Sequence, residues 1–572
     1  MRVQGFEREW VMAPSPPAID ADSITRSFDL PKVGAGMLLR RGLTTEADIN
    51  QYFDPRLKSL RDPFQLPDMP AAVERAWLAI DRKESILIHG DYDVDGMVGT
   101  AYLVRMLAAM GAKTSYFLPD RVRDGYGIGP AGLAAALERG ARLIICVDCG
   151  VTAVEAALAA RCADIDLIIL DHHQPPTTLP VAVAVVDALR IDATYPFQGL
   201  CGVGVAAKFI QAMAMSRPGK LDPAVYVEAL QLVALGTIAD VVPLLDENRT
   251  FVMHGLKALA RSRYPGVAAL AGLARLSGAT ITAEQVAYQL APRLNAAGRM
   301  GVPSLGVELL LATNPERGEF LARELDSLNL RRRESDQSVT QSARAMVMAT
   351  PTPPPFLVLW SEDWPAGVIG IAAARVAEEF RRPTLLISMN GAIGRGSARS
   401  YAGLDVGQAF ARAGDLLVAH GGHRQAAGLS VHRDNLEQLR ERLIIMAMEE
   451  PGEPGLLPLS LEAELEPALV DASLMTFLDR LAPFGAGTPE PLFLLRGLQL
   501  LQPPRIVGTD HLKLTVSAGG RPMGAIGFGL GRHAGAIRQA GGPIALAATP
   551  APDEWKGGGA IQLKFRDARV DE

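Results

Sequence analysis

The feature that most constrains the fold is the alternation of short apolar runs with helical stretches between residues 85 and 188. The runs are rich in Ile, Val and Leu, and they read SILIHG, KTSYFLP, RLIICVDCG, DLIILDHH and VAVAVVDA. Segments typical of helices separate several of them, such as PAGLAAALERG and TAVEAALAARCA. Because strand–helix alternation with apolar strands is typical of a parallel sheet covered on both faces, the sequence predicts an α/β domain here.

The bulk composition is that of a globular protein with several domains. Its 572 residues correspond to about three or four domains of roughly 150 residues each. With 48% hydrophobic and 21% charged residues, the chain can bury sizeable cores. The net charge of −6 argues against a general nucleic-acid coat, although it is compatible with a local basic groove.

The termini and the cysteines favour a cytoplasmic protein. The N-terminal MRVQGFEREWVMAPSPP lacks the apolar run of a signal peptide, and no stretch reaches the roughly 18 apolar residues of a membrane span. Four cysteines are too few for a disulfide framework and suit a reducing compartment. Cys146 and Cys149 form a C-x-x-C within LIICVDCG, but no second pair follows, so we favour two core thiols over zinc or redox chemistry.

Changes of pattern divide the chain into five predicted regions. Residues 1–75 form a lead-in of short helices and loops, and residues 76–250 hold the parallel-sheet domain. Residues 251–350 are expected to be helical, with a long amphipathic helix that bridges two lobes and stops before the proline-rich TPTPPPF. A second α/β domain is expected over residues 351–452. Residues 453–572 alternate short strands with Gly/Pro turns, which favours a small β-barrel of the OB type.

Acidic residues follow the predicted parallel strands. Asp91, Asp93 and Asp95 alternate after the first apolar run, Asp148 follows a later run, and DHH at 171–173 follows the next. In parallel sheets, ligands bind at the carboxyl ends of the strands. We therefore expect these side chains, far apart in sequence, to converge on one crevice.

Taken singly, each acidic cluster has an ordinary structural explanation. The D-x-D-x-D is compatible with a solvated turn, Asp148 with a helix N-cap, and Asp240 in GTIADVVPL with a helix end. An EF-hand loop is excluded because Tyr102 stands at the twelfth position, where that loop needs a bidentate Glu. Taken together, the ordinary explanations require several strands of one sheet to end in acid or imidazole by coincidence.

A pair of divalent cations explains the crowding of like charges. Carboxylates with one or two imidazoles suit Mn²⁺ or Mg²⁺, and the histidines favour Mn²⁺. Two adjacent cations need a bridging carboxylate and several flanking ones. The sequence therefore predicts a two-metal site at this edge of the sheet.

The motifs together resemble the DHH phosphoesterase superfamily. Four motifs stand in the order and setting of that superfamily: DYDVDG, VDCG, DHH and GTIADVVPL. Six more extend the resemblance over nearly the whole chain, to the RecJ family of bacterial exonucleases: RDGYGIG, LCGVGVA, PRLNAAGRM, GSARS, GGHRQAAG and PFGAGTPEPLF. The resemblance implies a DHH phosphoesterase domain, a helical bridge, a DHH-associated domain and an OB-like barrel.

The resemblance also implies a set of metal ligands for two Mn²⁺ or Mg²⁺ ions. The matching positions are Asp91, Asp93, Asp95, Asp148, His172 and Asp240. Asp93 and Asp95 would bind different ions, and Asp148 would bridge them. His89 is either an additional neighbour of the metals or a structural histidine, and the sequence leaves this open.

Three further residues are implied to serve the reaction. His173 matches the second histidine of the family, which is expected to contact the scissile phosphate or help to protonate the leaving group. Asp171 would orient the two histidines through a hydrogen bond. His423, in GGHRQAAG, is expected near the substrate phosphates, with a core histidine as the alternative.

GRGSARS is expected to bind phosphate in the second lobe. Glycines allow close backbone approach and arginine supplies a bidentate grip, although an ordinary Gly-rich turn is the alternative. The resemblance implies that Ser397 and Arg399 hold the 5′ end, with Arg121 as their partner from the first lobe. Arg293 and Arg299 are candidates for contact with the DNA backbone, with a surface salt bridge as the alternative.

The barrel and one departure from the family pattern complete the predictions. The resemblance implies that the barrel grips single strands through stacking and charge. The candidate residues for these contacts are Phe528, Trp555, Phe565, Lys513, Lys556 and Lys564. Related sequences often read W-H-x-G-V-I-G, where this chain has WPAGVIG, so Pro365 replaces a histidine.

The resulting functional hypothesis is a hydrolase that degrades single-stranded DNA from 5′ to 3′ and releases 5′-mononucleotides, in repair and recombination. A small-nucleotide phosphodiesterase of the same superfamily and a non-catalytic DNA-binding scaffold are the alternatives. We expect single-stranded DNA as a partner, a single-strand-binding protein and a helicase as protein partners, no membrane, and a monomer.

Overall fold

The computed structural model describes residues 2–16, 21–121, 123–276, 280–450, 456–553 and 559–571. They form two compact units. One unit comprises residues 57–453 and 485–487, and the other comprises residues 1–56, 454–484 and 488–572.

The described residues contain the following strands and helices. The strands are β1 Arg2–Gln4, β2 Glu9–Met12, β3 Ser85–Gly90, β4 Lys113–Phe117, β5 Ala141–Val147, β6 Asp166–Leu170, β7 Ala184–Val186, β8 Leu357–Ser361, β9 Thr384–Asn390, β10 Ile393–Arg399, β11 Leu417–Gly422, β12 Ala426–His432, β13 Pro458–Leu461, β14 Ala463–Glu464, β15 Phe493–Leu500, β16 Arg505–Val507, β17 His511–Ala518, β18 Arg521–Gly527, β19 Ile544–Pro552 and β20 Ile561–Val570. The helices are α1 Ala21–Phe28, α2 Gly34–Arg40, α3 Glu46–Phe53, α4 Met69–Asp81, α5 Val94–Ala109, α6 Pro130–Glu138, α7 Val154–Cys162, α8 Gly202–Ser216, α9 Pro223–Ala239, α10 Asp246–Leu259, α11 Pro265–Leu273, α12 Ala283–Gln285, α13 Ala291–Arg299, α14 Ser304–Leu311, α15 Pro315–Met348, α16 Ile369–Phe380, α17 Val406–Arg412, α18 Leu436–Glu449, α19 Ala472–Leu481 and α20 Ala534–Ala540.

The predicted parallel sheet is present in the unit built around residues 57–453. Its five strands are all parallel, in the order β4-β3-β5-β6-β7. The chain moves from β3 to β4 on one side and then crosses to β5 on the other, which makes a topological switch point between β3 and β5. Ligands of open α/β sheets bind outside the carboxyl ends of the strands at such a point.

Helix α15 connects two hydrophobic cores of this unit. Leu321 and Leu325 in its first half pack in the core that also holds α5, α8 and α9. Val339 and Ala343 in its second half pack in a core with α16 and β8. The amphipathic pattern therefore predicted the bridging helix correctly.

The second sheet of the same unit is mixed. Its order is β11-β12-β10-β9-β8, with only β8 and β9 parallel. Helix α16 packs between this sheet and the second half of α15, because its apolar residues Ala372, Ala373 and Val376 face both.

The C-terminal region of the other unit is a closed five-stranded barrel. Strands β15, β19, β20, β18 and β17 pair in that order, and pairing of β15 with β17 closes the ring. Closure leaves these strands without a free edge. The OB-like barrel and the α/β domains agree with the fold class expected from the sequence.

The described residues before Leu57 belong to the same compact unit as this barrel. Strand β2 pairs in parallel with β13. The buried carboxylate of Asp567 on β20 accepts hydrogen bonds from the Arg8 N–H at 3.0 Å and from Trp10 Nε1–H at 2.9 Å. Among the described residues, no helix combines the length and the apolar character needed to cross a membrane.

Candidate metal centre and phosphate cradle

Four neighbouring strands of the parallel sheet end in register, and an aspartate follows each of them. Gly90 pairs with Val147, Val147 with Leu170, and Leu170 with Val186. The residues that come next are Asp91, Asp148, Asp171 and Asp187. The sheet register therefore places four carboxylates side by side at the switch point, three of which the sequence had singled out.

The turn after β3 positions the second and third acids of D-x-D-x-D. Asp93 is the N-cap of α5 and accepts a hydrogen bond from the Gly96 N–H at 3.1 Å. Asp95 is buried in the first turn, where Oδ2 accepts from the Gly202 N–H at 2.6 Å and Oδ1 from the Val203 N–H at 3.1 Å. The positive N-terminus of α8 therefore holds the Asp95 carboxylate in place.

His172 joins acids from three separate segments. Its Nε2 lies 3.1 Å from Asp148 Oδ1 and 3.6 Å from Asp240 Oδ2. Donor atoms of Asp95, His172 and Asp240 all lie within 4.8 Å of one another, and the same holds for Asp148, His172 and His173. Both groups share His172, so one imidazole connects the two sets of donors.

Tight backbone geometry brings Asp148 and Asp240 to this point. Asp148 adopts a left-handed conformation with φ of 61°, which is uncommon for a residue other than glycine. A Cβ on Gly202 would lie 2.4 Å from the Cβ of Asp148, so α8 can approach only because glycine stands there. Asp240 is the C-cap of α9.

Negative charge is in excess in this cluster, because the nearby positive charges of His173 and Arg121 only partly offset the carboxylates. Burial, followed by the charge of Asp93, raises the pKa of Asp91 to about 8 and of Asp95 to about 7. Burial and the charges of Asp95 and Asp93 raise the pKa of Asp240 to about 8. Burial and the same neighbours also raise the pKa of Asp148 well above its usual range. Like charges in a buried site favour the protonated form unless a cation neutralises them.

Unsatisfied oxygens show that this donor set fits divalent cations. Asp91 Oδ1 and Asp240 Oδ2 are buried and accept no hydrogen bond within the described part of the chain. Burial and the neighbouring charge of His173 lower the pKa of His172 to about 4, which keeps its imidazole in the neutral form that ligates metals. Hard oxygens with one neutral imidazole match the preference of Mn²⁺ and Mg²⁺.

Asp171 orients the DHH histidines. Its buried Oδ2 accepts from the Val151 N–H at 2.9 Å, and its Oδ1 accepts from the His172 N–H at 2.8 Å and lies 2.8 Å from His173 Nδ1. Burial acts to lower the pKa of His173, but the hydrogen bond and charge of Asp171 outweigh it and raise the value to about 9. The predicted orienting role of Asp171 is consistent with this geometry.

Tyr126 adds a contact that the sequence did not single out. Its hydroxyl donates to the Asp148 carbonyl at 3.1 Å and lies 3.1 Å from His173 Nδ1, while its ring is partly exposed. Tyr126 lies in the quoted RDGYGIG, but nothing in the spacing shows that this loop reaches Asp148. Asp187, whose pKa burial raises to about 7, was missed although it too ends an apolar run.

His89 lies behind the acid cluster. It is fully buried on β3, and its Nδ1 lies 3.7 Å from the Sγ of Cys149. Its ring packs beside Phe117, with 5.5 Å between the ring centroids. It therefore groups with the cysteines and not with the two His172-centred sets of donors.

A second cluster carries positive charge. Arg399 Nη1 donates to Ser397 Oγ at 3.0 Å, and both residues end strand β10. A Cβ on Gly370 would lie 3.0 Å from Arg399 Nη2 and from Ser397 Oγ, so the two side chains face the first turn of α16. A helix N-terminus, a hydroxyl and a guanidinium are groups that proteins use to bind anions.

Arginines from the first lobe lie close to this cradle. Burial, followed by the positive charges of Arg121, Arg332 and Arg399, lowers the pKa of Arg299 to about 10. The backbone of Arg299 touches Gly367, where a Cβ would lie 2.2 Å from the Arg299 carbonyl oxygen. The structure thus brings together Arg121, Arg299 and Arg399, which the sequence proposed as substrate contacts.

Comparison with known proteins agrees with the motifs. Family models match as the DHH family, N-terminal domain, over residues 85–237, as the DHHA1 domain over residues 354–448, and as the RecJ OB domain over residues 461–567. The single-stranded-DNA-specific exonuclease RecJ of Bacillus subtilis is 33% identical over 559 residues, covering 96% of this chain and 69% of that protein. The chain belongs to the RecJ family.

Other RecJ proteins give the same result. RecJ of Escherichia coli is 34% identical over 521 residues, covering 87% of this chain and 90% of that protein. The solved structure of RecJ in complex with Mn²⁺ from Thermus thermophilus has a TM-score of 0.83 at 29% identity, covering 98% of this chain and 80% of that one. A second structure from the same organism is a complex with Mg²⁺, with a TM-score of 0.77. The RecJ family, its DHH-type metal-dependent hydrolase class and Mn²⁺ or Mg²⁺ as cofactors are as the motifs predicted.

Two predicted site residues of this RecJ-family chain, Arg293 and His423, make local contacts within the fold, and so does Pro365, which replaces the family histidine. Arg293 Nε donates to Asp326 Oδ1 at 2.8 Å, which is the salt-bridge alternative stated for it. His423 is exposed in the turn between β11 and β12, where its N–H donates to the Ala426 carbonyl at 2.8 Å. Pro365 opens the turn that leads into α16, and its carbonyl accepts from the Val368 N–H at 3.2 Å.

The barrel exposes one of its candidate aromatics. Phe528 is 61% exposed and packs edge-on against His511, with 5.1 Å between the ring centroids. Phe565 is buried in the barrel core and is not available for stacking. Lys513 pairs across the strands with Arg505, both exposed, whereas Trp555 and Lys556 lie outside the described residues.

Proposed function

We propose that this RecJ-family chain hydrolyses single-stranded DNA from its 5′ end and releases 5′-mononucleotides, with two divalent cations bound at the sheet edge. The observation that carries the proposal is the buried set of carboxylates around His172, whose pKa values are raised by burial and by the charge of neighbouring carboxylates. A DNA phosphodiester brings only further negative charge, so cations are needed before it can enter.

The residues that would hold the ions are those that meet at the switch point. They are Asp91, Asp93, Asp95, Asp148, His172 and Asp240. When bound, two such cations supply the positive charge that activates water and stabilises the transition state of phosphodiester hydrolysis. Asp148 is the best candidate for a shared ligand, since it lies against His172 and feels the charges of Asp91, Asp93, Asp95 and Asp240.

The chain's own side chains would position the scissile phosphate. Asp171 fixes the ring of His173, which is partly exposed and faces Tyr126. From this position His173 would contact the scissile phosphate or donate a proton to the departing 3′ oxygen. Tyr126 would support it by holding the Asp148 carbonyl and the His173 ring at one point.

The arginine cluster would provide the requirement for a 5′ end. Ser397, Arg399 and the first turn of α16 form a cradle suited to a phosphate, and Arg121 and Arg299 add positive charge. A terminal phosphate carries more charge and more free oxygens than an internal one. Binding of this group would set which bond lies at the metal site. His423 is proposed to line the same path.

The barrel would provide a further contact for the single strand. The exposed Phe528 and its neighbour His511 offer a stacking surface, and the adjacent Arg505 and Lys513 offer charge for the backbone. A single strand exposes its bases to such a surface, and a duplex does not. A cytoplasmic monomer that works with a single-strand-binding protein and a helicase stays a prediction.

A digestion experiment tests the proposal. Single-stranded and blunt duplex oligonucleotides, each labelled at either the 5′ or the 3′ end, are incubated with the full chain and Mn²⁺, and the products are resolved over time. We expect early release of labelled mononucleotide from 5′-labelled single strands only. Equal digestion of the duplex, or mononucleotide released first from the 3′ end, would contradict the proposal.

A further inference from the structure

A third group of potential metal donors lies behind the acid cluster. His89 and Cys146 are register partners on the adjacent strands β3 and β5, and Cys149 follows in the turn after β5. One donor atom from each of the three residues lies within 4.8 Å of the other two. All three side chains are fully buried. None of them is needed by the reaction proposed above.

The separation of the donors suits a tetrahedral metal site. Cys149 Sγ lies 3.7 Å from His89 Nδ1 and 3.8 Å from the His89 carbonyl oxygen. Zinc–sulfur bonds of about 2.3 Å and zinc–nitrogen bonds of about 2.0 Å at a tetrahedral angle place sulfur and nitrogen about 3.5 Å apart. The cluster therefore needs only small side-chain movements to surround one ion.

The imidazole of His89 is poorly satisfied as it stands. Its Nε2 has no hydrogen-bond partner within the described residues. Its Nδ1 contacts the sulfur atom of Cys149, and sulfur is a weak hydrogen-bond partner. A buried polar group without a good partner destabilises the fold. Ligation through Nδ1 would give this ring a strong partner.

We propose that His89, Cys146 and Cys149 form a second metal site, for a thiophilic cation of the zinc class. The sequence alone favoured two core thiols because no second cysteine pair follows, and the register of the sheet adds the imidazole that spacing could not reveal. On binding, both thiols lose their protons to solvent, His89 keeps its proton on Nε2, and the fourth position stays open. The soft donors separate this site from the oxygen-rich one.

A metal ion at this site would affect the proposed reaction, because two of its ligands are close in sequence to carboxylates of the acid cluster. His89 stands two residues before Asp91, and Cys149 directly follows Asp148. An ion held by both segments would fix the two turns that carry these carboxylates. We expect Zn²⁺ at this site to change the exonuclease rate in a way that excess Mn²⁺ does not reverse.

Cadmium binding tests the proposal directly. Full-length chain in excess Mn²⁺ is titrated with Cd²⁺, and the ultraviolet charge-transfer band from thiolate to Cd²⁺ is followed until it is constant, since buried donors are reached slowly. We expect one Cd²⁺ per chain with this band. The double variant Cys146→Ala/Cys149→Ala should lose both, whereas Cys162→Ala, which removes an exposed cysteine, should keep both.

A second variant provides a test that does not depend on folding of the double variant. If the double variant unfolds by circular dichroism, His89→Asn keeps both thiols and should weaken Cd²⁺ binding by about tenfold or more. The proposal is overturned if the wild type gives no thiolate band, if Mn²⁺ displaces the Cd²⁺, or if a folded variant at His89 or the cysteine pair binds Cd²⁺ as the wild type does. Because the readout needs no cleavage, its failure is distinct from failure of the exonuclease proposal.

Discussion

The acid cluster at the sheet edge and the pair formed by Lys208 and Glu247 are both buried in the same unit, yet their charges are balanced differently. Glu247 Oε1 accepts from Lys208 Nζ at 2.7 Å and from the Arg61 N–H at 2.9 Å, and its other oxygen accepts from the Tyr195 hydroxyl. Lys208 also donates to the Arg61 carbonyl at 2.6 Å. Every charge in this pair has an opposite charge or a hydrogen bond beside it.

In the acid cluster, by contrast, negative charge is in excess. Asp91, Asp95, Asp148 and Asp240 repel one another, and their pKa values are raised by burial and by like charge. Burial of a charged group is thus not itself a sign of function, because Lys208 and Glu247 are buried equally well. The sign of function is an excess of buried like charge, since a ligand of opposite charge then completes the site.

The largest expected effect is loss of cleavage in Asp148→Asn. This change keeps the side-chain volume but removes the carboxylate that lies against His172. Cleavage of a 5′-labelled single strand should fall to background. In the absence of metal the variant should melt at or above the temperature of the wild type, since one of several repelling charges is gone.

The control for this variant is added metal. Mn²⁺ at about 100 times its dissociation constant should stabilise the wild type by about 2.7 kcal/mol, and the variant much less. Retained cleavage by Asp148→Asn, or equal stabilisation of both proteins by Mn²⁺, would break the distinction between the two clusters.

The balanced pair should respond in the opposite way. Lys208→Met leaves the Glu247 carboxylate buried without its cation, which costs about 3–5 kcal/mol of unfolding free energy. Cleavage per folded molecule should remain that of the wild type below the melting transition. Urea unfolding and initial rates measure the two quantities. A variant that stays stable but loses activity would show that Lys208 serves the reaction.

The arginine cradle is a site of excess positive charge, in contrast to the acid cluster. Substitution of Arg399 is expected to have the smallest effect on activity. A charge-assisted hydrogen bond contributes about 1.5–3 kcal/mol, so Arg399→Gln should reduce the preference for 5′-phosphorylated over 5′-hydroxyl strands by about tenfold or more. Arg433→Gln is the matched control, because Arg433 pairs with Glu362 in the same lobe. The ratio of kcat/KM for the two strands measures the effect. An unchanged ratio in Arg399→Gln would remove the cradle from end recognition.

Local pattern predicted much of the sheet edge. Apolar runs ending in Asp91, Asp148 and Asp171 fixed the strands, and parallel geometry then required their ends to meet. The amphipathic run after residue 315 gave the bridging helix for the same reason, since its periodicity is local.

Long-range pairing is what the sequence could not supply. Trp10 and Asp567 meet although they stand 557 positions apart in the chain, and no local signal links strand β2 to β13. His89 contacts Cys149 because of the register of the sheet. Tyr126 contacts Asp148 because of the path of the loop that carries it. The ion pair of Lys208 and Glu247 likewise forms only because the fold brings the two residues together.

Anomalous scattering from crystals of the full chain grown or soaked in Mn²⁺ tests the central claim most directly. We predict two peaks roughly 3.5–4 Å apart at the switch point between β3 and β5. Ligands should come from Asp148, His172 and the flanking aspartates, with Asp148 touching both ions. No ordered Mn²⁺ at this edge, or Mn²⁺ bound without Asp148 and His172, would contradict the account.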